Sequence, residues 1–215
     1  MFDDVAIIVV AGGGGTRFGG AKQFAKLGNA TVLDHCVATA LRVSHTVIAV
    51  VPIDAEWNAP TGCVRVAGGA SRSASTRCGL GAIPAATRIV VVHDGARPLC
   101  EVALYASVIA AVRGGADAAI PALPVSDTVK RVDGSRVVAT VARTDLVTVQ
   151  TPQAFRHAAL VAAHESGRDD TDDAALVEAN GGSVVIVDGD PRNIKITLPD
   201  DLAIAAALLA QRGAR

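Results

Sequence analysis

The chain has 215 residues, 50% of them hydrophobic and 19% charged, a balance that provides a substantial core and excludes a disordered polypeptide. Lys and Arg number 20 against 21 Asp and Glu, a net charge of -1, so the broad basic excess of a nonspecific nucleic-acid binder is missing and any basic site must be local. The longest uncharged stretch, residues 5–16, is too short for a bilayer and ends in glycines, which argues against a membrane span. The chain opens Met1-Phe2-Asp3-Asp4, acidic where a secretory leader is basic, and Cys36, Cys63, Cys78 and Cys100 form no C-x-x-C pair. A cytoplasmic protein with reduced thiols is expected.

Residues 5–11 form a continuous apolar, β-branched run, the pattern of a strand buried on both faces of a parallel sheet. A glycine loop follows. After Thr31, the residues Val32, Leu33, Cys36, Val37, Ala40 and Leu41 recur at helical spacing, and residues 46–51 are again apolar and β-rich, completing a βαβ unit. Next come a short strand at 63–67, a helix at 71–82, a strand at 88–93, a helix at 101–112 and a strand at 118–123. This alternation predicts an α/β fold, Rossmann-like and doubly wound, with a mostly parallel sheet. Between Pro124 and Gln153 the texture changes. Residues 128–132, a turn at Asp133-Gly134-Ser135 and residues 136–141 predict a protruding β-hairpin arm. Helices near 156–165 and 171–180, strands at 183–187 and 193–197, and a final helix from Pro199 complete the chain, with Thr171 expected as an N-cap. One domain over residues 1–215, with an arm subdomain at about 124–153, is the expected organisation.

The strongest local signal is VVAGGGGTRFGGAKQF, residues 9–24. Glycines directly after a strand let the backbone turn tightly and aim convergent N–H groups at a ligand, an arrangement that suits phosphate oxygens. It is not a Walker A loop, because Ala21 precedes Lys22 where glycine is required and Gln23 replaces Ser or Thr. The fingerprint G-x-G-x-x-G also fails: counted from Gly12 it ends on Arg17, and from Gly13 on Phe18. That disfavours a nicotinamide dehydrogenase. Arg17 and Lys22 add two positive charges beside the cradle, suited to a triphosphate and to extra charge on one phosphorus in a transition state. The bland alternative is a tight turn with both cations solvated.

Val10-Ala11-Gly12-Gly13-Gly14-Gly15-Thr16-Arg17-Phe18 resembles the L-A-G-G-x-G-T-R-[LM] signature of nucleotidyltransferases that couple a nucleoside triphosphate to a sugar or polyol phosphate. Six later motifs span nearly the whole chain. They are Gly68-Gly69-Ala70-Ser71-Arg72-Ser73-Ala74-Ser75 with Gly79-Leu80, Val92-His93-Asp94-Gly95-Ala96-Arg97-Pro98, and Ser126-Asp127-Thr128-Val129-Lys130-Arg131. After these come Gln150-Thr151-Pro152-Gln153-Ala154-Phe155, Thr171-Asp172-Asp173-Ala174 and Asn193-Ile194-Lys195-Ile196-Thr197. In this order they resemble the 2-C-methyl-D-erythritol 4-phosphate cytidylyltransferases, CTP-using enzymes of non-mevalonate isoprenoid synthesis.

The resemblance implies roles position by position. Ala11, Gly12, Gly13 and Gly15 match the CTP cradle, and Gly68, Ala70 and Ser75 match positions around the cytosine base. Arg17 and Lys22 match the pair that stabilises the pentavalent phosphorus and the leaving pyrophosphate. Asp94 matches the carboxylate of the Mg²⁺ site, where one Asp with phosphates suffices. Arg143 and Lys195 match the pair that holds the acceptor phosphate, with Arg97, Thr128, Thr151 and Thr171 on the acceptor side. In the family the arm exchanges between subunits of a homodimer, which implies that Arg143 serves the neighbour's site. From the residues alone, Ser75 passes for an ordinary helical serine, Arg72 and Arg143 for surface arginines, and Asp94 for a turn cap. His93 reads as a structural strand residue, since attack by an anionic phosphate oxygen needs no base.

The chain also departs from the family pattern. Ala21-Lys22-Gln23 replaces the usual Pro-Lys-Gln, and the short Arg17-Phe18-Gly19-Gly20-Ala21-Lys22 segment also resembles R-M-G-x-x-K of molybdenum-cofactor nucleotidyltransferases, which leaves base choice less fixed than reaction type. Gly95 stands where alanine is commoner. The expected function is Mg²⁺-dependent transfer of CMP from CTP to 2-C-methyl-D-erythritol 4-phosphate, with small-molecule substrates and neither nucleic acid nor membrane as partner. A ribitol 5-phosphate cytidylyltransferase and a non-catalytic nucleotide sensor are the competing readings.

Overall fold

A computed structural model describes residues 1–213, so the last two residues of the expected 1–215 domain lie outside the described residues. The first strand, β1 (Phe2–Val10), is longer than its apolar run. Two-residue strands β2 (Lys26–Leu27) and β3 (Ala30–Thr31) pair with each other and lead into helix α1 (Val32–Leu41). Thr31 caps α1 through a reciprocal box: its hydroxyl accepts from the Asp34 N–H, while the Asp34 carboxylate accepts from the Thr31 N–H.

The alternation continues through β4 (Ser44–Val51), β5 (Cys63–Ala67), α2 (Arg72–Leu80), β6 (Ile89–Asp94), α3 (Val102–Arg113) and β7 (Ala118–Pro124). Then come β8 (Val129–Asp133), β9 (Arg136–Val141), β10 (Val147–Val149), β11 (Gln153–Arg156), α4 (His157–His164), α5 (Asp173–Ala179), β12 (Val184–Asp188) and α6 (Pro199–Gly213).

One sheet runs β10-β7-β11-β6-β1-β4-β5, and β12 pairs along β7. The pairs β1–β4, β1–β6, β4–β5 and β7–β12 are parallel; β11 runs antiparallel between β6 and β7. Helices cover both faces, as expected. Leu33, Val37, Tyr105 and Val108 of α1 and α3 pack on Ile7, Val9 and Val91, while Leu160, Leu176 and Val177 of α4 and α5 pack on Val90, Val92 and Phe155. Full burial of these apolar strands on two sides explains why they read as unbroken hydrophobic runs. The β8–β9 hairpin pairs only with itself and exposes Val132, Val137 and Val138.

Three local expectations need correction. Residues 193–197 form no strand; this segment is tied by single bonds, including Ile196 N–H to the Ala96 carbonyl at 2.8 Å. The cap of α5 is Asp172, whose carboxylate accepts from the Ala175 N–H at 2.9 Å, and Thr171 stays outside the helix. Short strands β10 and β11 complete the sheet within a stretch that sequence assigned to the arm and its exit.

The join between α2 and the sheet is tight at Gly79, where a Cβ would lie 2.6 Å from Ile8 Cγ2 and 3.2 Å from Val50 Cγ2. Ala at a helical position gains about 1 kcal/mol over Gly, but forcing a methyl into a filled core loses about 1 to 3 kcal/mol. Gly79→Ala is therefore expected to lower the urea-unfolding free energy; an unchanged or raised value would show that the α2 interface has slack.

Candidate active site

The C-terminal edge of the parallel strands brings together what the chain separates. Val10, the last residue of β1, lies in register with Val50 on β4 and Asp94 on β6, so the loops after these strands open at one edge. This is where open α/β sheets bind ligands. The glycine loop is curled there. Gly15 adopts φ 65°, its carbonyl accepts from the Phe18, Gly19 and Gly20 N–H groups, and a Cβ on it would lie 1.9 Å from the Gly20 oxygen. Only glycine fits. Gln23, buried under the loop, donates from Nε2 to the carbonyls of Ala11 at 2.9 Å and Gly13 at 3.1 Å. These two bonds fix the loop from beneath.

Helix α2 supplies the opposite wall. Ser71 caps it, its hydroxyl accepting from the Ala74 N–H. Ser75 is buried, and its Oγ accepts from the Gly69 N–H at 3.2 Å. A Cβ on Gly12 or on Gly68 would reach that same Oγ at 3.0 or 3.1 Å, so the glycine loop, the loop after β5 and Ser75 meet at one point. Ser75 is thus a bracket between loops, neither solvated nor bonded back to its own helix.

Asp94 ends β6 nearly buried. Its Oδ1 lies 3.3 Å from Arg72 Nε, its Oδ2 lies 2.7 Å from Lys195 Nζ, and its backbone N–H donates to Thr151 Oγ1 at 2.9 Å. Burial alone would raise the Asp94 carboxyl, but Arg72 and Lys195, with Arg97 behind them, outweigh it and hold it well below the usual carboxylate range. Asp94 is an anion in the site. Arg72, which from sequence passes for a surface residue, is instead half-buried and spans Asp94 and the fully buried Asp173. No local pattern could have found that, because the two carboxylates lie 22 and 101 residues away along the chain.

A cleft of about 370 Å³ is lined by Ala11, Gly12, Gly13, Gly15, Arg17, Lys22, Ala70, Ser75, Asp94 and Lys195 among others. Lys22 has its pKa lowered by burial first, then by Lys195 and Arg17, so three cations face one space and an anionic ligand relieves their repulsion. Gly68 stands behind Gly12 rather than in the wall. A second cavity of about 150 Å³ is lined by Arg97, Thr151, Thr171, Gln153 and Asp172, and it shares Arg72, Asp94 and Lys195 with the first. Thr128 and Arg143 line neither cavity. Both are exposed on the arm, and Arg143 donates to the Ser126 carbonyl.

No group of three His, Cys, Asp or Glu side chains among the described residues could hold a metal ion by itself. Asp94 nonetheless fits Mg²⁺, a hard cation that takes one or two carboxylates and completes its shell with phosphates and water. It is an ionised carboxylate facing the same cleft as the glycine cradle.

Sequence reasoning missed Gln23, Asp173, His164 and Asn193, all buried polar side chains that support the site from behind. Asn193 donates from Nδ2 to the Thr151 carbonyl at 2.8 Å, and Arg97 donates to the Asn193 carbonyl at 2.7 Å, which ties the 193–197 segment beside Asp94. The Lys22-Gln23 and Asn193-x-Lys195 pairings were in view as motif letters, but their supporting partners were not.

His93 is fully buried, with Nε2 at 3.1 Å from the Arg97 carbonyl and Nδ1 at 3.2 Å from Thr151 Oγ1. Burial lowers its pKa from 6.5 to about 4, with Asp94 opposing. Between those values the unfolded chain binds a proton that the folded chain refuses, so stability rises with pH across this window. Unfolding free energy is expected to fall as pH drops from 6.5 to about 4, and His93→Gln should flatten that segment of the profile. An unaltered slope in the variant would mean that the proton is taken up elsewhere.

The comparisons with known proteins point to one family. The family model for 2-C-methyl-D-erythritol 4-phosphate cytidylyltransferase (IspD) matches residues 5–211. The protein of that name from Streptomyces coelicolor is 43% identical over 230 residues, covering 96% of this chain and 85% of the relative. A bifunctional IspD/IspF enzyme from Clavibacter michiganensis is 41% identical over 96% of this chain, which spans only 55% of that relative's length. The crystal structure of the cytidylyltransferase from Thermus thermophilus superposes with a TM-score of 0.84 at 37% identity, covering 95% of this chain and 98% of the other. With a family model matched over residues 5–211, relatives at 41% and 43% identity and a shared fold, the chain belongs to the 2-C-methyl-D-erythritol 4-phosphate cytidylyltransferase family.

Proposed function

We propose that this chain transfers CMP from CTP to 2-C-methyl-D-erythritol 4-phosphate and releases pyrophosphate, a step of isoprenoid precursor synthesis. Family membership makes it an enzyme of the nucleotidyltransferase type. The single observation that carries the mechanism is the junction at Asp94, where two cavities share Arg72, Asp94 and Lys195. The larger cavity, with its glycine loop and three cations, suits the triphosphate. The smaller one, with Arg97, Thr151 and Thr171, suits a polyol phosphate.

In this reading the loop N–H groups of residues 12–15 bind the CTP phosphates, and Ala70 and Ser75 frame the base, with Gly68 behind Gly12 outside the cleft wall. Lys195 leaves Asp94 Oδ2 to meet the acceptor phosphate. An oxygen of that phosphate attacks the α-phosphorus of CTP, the new P–O bond forms as the bond to pyrophosphate breaks, and Arg17 and Lys22 take up the charge that develops. The nucleophile is already anionic, so no base is required, and His93 has both ring nitrogens engaged in the core. Mg²⁺, held by Asp94 together with phosphate oxygens, would neutralise triphosphate charge.

The reading extends to assembly and location. Thr128 and Arg143 sit on the arm of about 124–153, outside both cavities of their own chain, which supports a homodimer in which Arg143 completes the partner's acceptor site. No helix among the described residues is long and apolar enough to cross a membrane, which is consistent with a cytoplasmic location. A single nucleotidyltransferase domain carrying the arm is the organisation this implies.

Pyrophosphate release with Mg²⁺ and CTP is the direct test, offering 2-C-methyl-D-erythritol 4-phosphate and ribitol 5-phosphate in parallel and GTP as nucleotide control. Turnover with the methylerythritol phosphate and CTP alone is expected; turnover with ribitol phosphate would keep the chemistry and change the acceptor. Lys22→Ala should lower kcat about a hundredfold or more, the scale of losing one preorganised charge contact, while CTP affinity changes far less. Weakened CTP affinity with kcat unchanged would assign Lys22 to ground-state binding. A mixture of inactive Lys22→Ala and Arg143→Ala subunits should regain activity after subunit exchange, and no recovery would place Arg143 outside the partner's site.

A further inference from the structure

Arg72, the first residue of α2, makes an asymmetric bridge. Its Nη1 donates to Asp173 Oδ2 at 2.7 Å, its Nε reaches Asp94 Oδ1 only at 3.3 Å, and its Nη2 is buried with no partner among the described residues. Nε and Nη2 form the side fork of a guanidinium, the edge that grips both oxygens of a carboxylate at once. In this structure that fork touches only one oxygen of Asp94, while Lys195 covers the other.

What holds Arg72 off is Asp173. This carboxylate is fully buried at the start of α5 and receives a second bond on Oδ1 from His164 Nε2 at 3.0 Å, at the end of α4. Burial alone would raise the Asp173 carboxyl, but His164 and Arg72 hold it low, so it stays an anion. The ligand set is therefore divided: Nη1 belongs to Asp173, Oδ1 of Asp94 belongs to Arg72, and Oδ2 of Asp94 is released whenever Lys195 moves.

We propose that Asp173, seated by His164, is a positioning residue: it holds the Arg72 fork to one oxygen of Asp94 and thereby keeps the other available to a divalent cation. The proposal rests on the reading of Asp94 as the carboxylate that meets the cation. Without the Asp173 charge, the Arg72 fork closes on both oxygens of Asp94 and competes with the metal. Asp173 and His164 thus act on metal affinity without touching metal or substrate.

The test is Mn²⁺ titration of the protein–CTP complex, with no acceptor present, followed by electron paramagnetic resonance. Asp173→Asn is expected to weaken protein-dependent Mn²⁺ binding about tenfold or more, the usual scale for lost outer partners of a metal site. Adding Arg72→Gln to it removes the competing fork and should restore Mn²⁺ binding to the wild-type level, which a merely structural role for the pair would not produce. Unchanged binding in folded Asp173→Asn overturns the proposal, as does a double variant no better than the single one. Should Asp173→Asn not fold by circular dichroism, the double variant decides alone, since replacing both charges by amides leaves neither buried and unpaired; binding weaker than wild type then overturns the proposal. Asp94→Asn separates the two readings. Its failure to reduce Mn²⁺ binding would sink the metal assignment itself, whereas reduction by Asp94→Asn with no effect of Asp173→Asn would sink only the restraining role of Asp173.

Discussion

A carboxylate placed at the end of a central strand cannot stay charged unless cations come to it, and the site of this protein is organised around that requirement. Removing one partner of a buried ion pair costs about 3 to 5 kcal/mol, because the other charge is left uncompensated. Asp94 therefore draws Arg72 from α2 and Lys195 from the segment before α6, and its backbone N–H takes Thr151 from the loop before β11. Three distant pieces of chain are fixed to one strand end. The segment 193–197 forms no ladder, and its place is set by Asn193, Arg97 and Lys195 instead of by sheet pairing.

The same economy of charge shapes the ligand space. Arg17, Lys22 and Lys195 face a cleft whose floor is glycine backbone, and burial first, then the neighbouring Lys195 and Arg17, lower the Lys22 pKa against the pull of Asp94. A polyanion is the ligand that resolves this imbalance. Arg72, Asp94 and Lys195 belong to the walls of both cavities, so donor and acceptor groups bound in each would meet across the one place where opposite charges are already arranged.

The arm presents a different kind of incompleteness. A lone two-stranded hairpin is marginal in water, yet β8 and β9 pair only with each other and expose three valines. Cover by a second copy of the chain, as proposed above, would bury these valines and carry Thr128 and Arg143 to a site from which they are absent in their own protomer.

Local periodicity was enough to read most elements, because strands buried on two faces and helices with one apolar stripe leave a pattern in the residues themselves. The glycine loop was equally legible: positive φ at Gly15 and the close Gly20 oxygen require residues without a side chain. Thr171 was misread as a cap because Thr171 and Asp172 are both good cap residues, and only the bond to the Ala175 N–H distinguishes them. Residues 193–197 look like a strand by composition, and nothing within them reveals that no neighbour is available to pair. Arg72 offers the clearest division. Its motif was visible, but its partnership with Asp94 and Asp173 depends on chain segments 22 and 101 residues away. The sequence by itself determined the alternating α/β layout, the phosphate-type loop and the family. Tertiary structure alone decided which charges meet, because pairing a buried carboxylate depends on distance and burial in space, and neither is written in the spacing of residues along the chain.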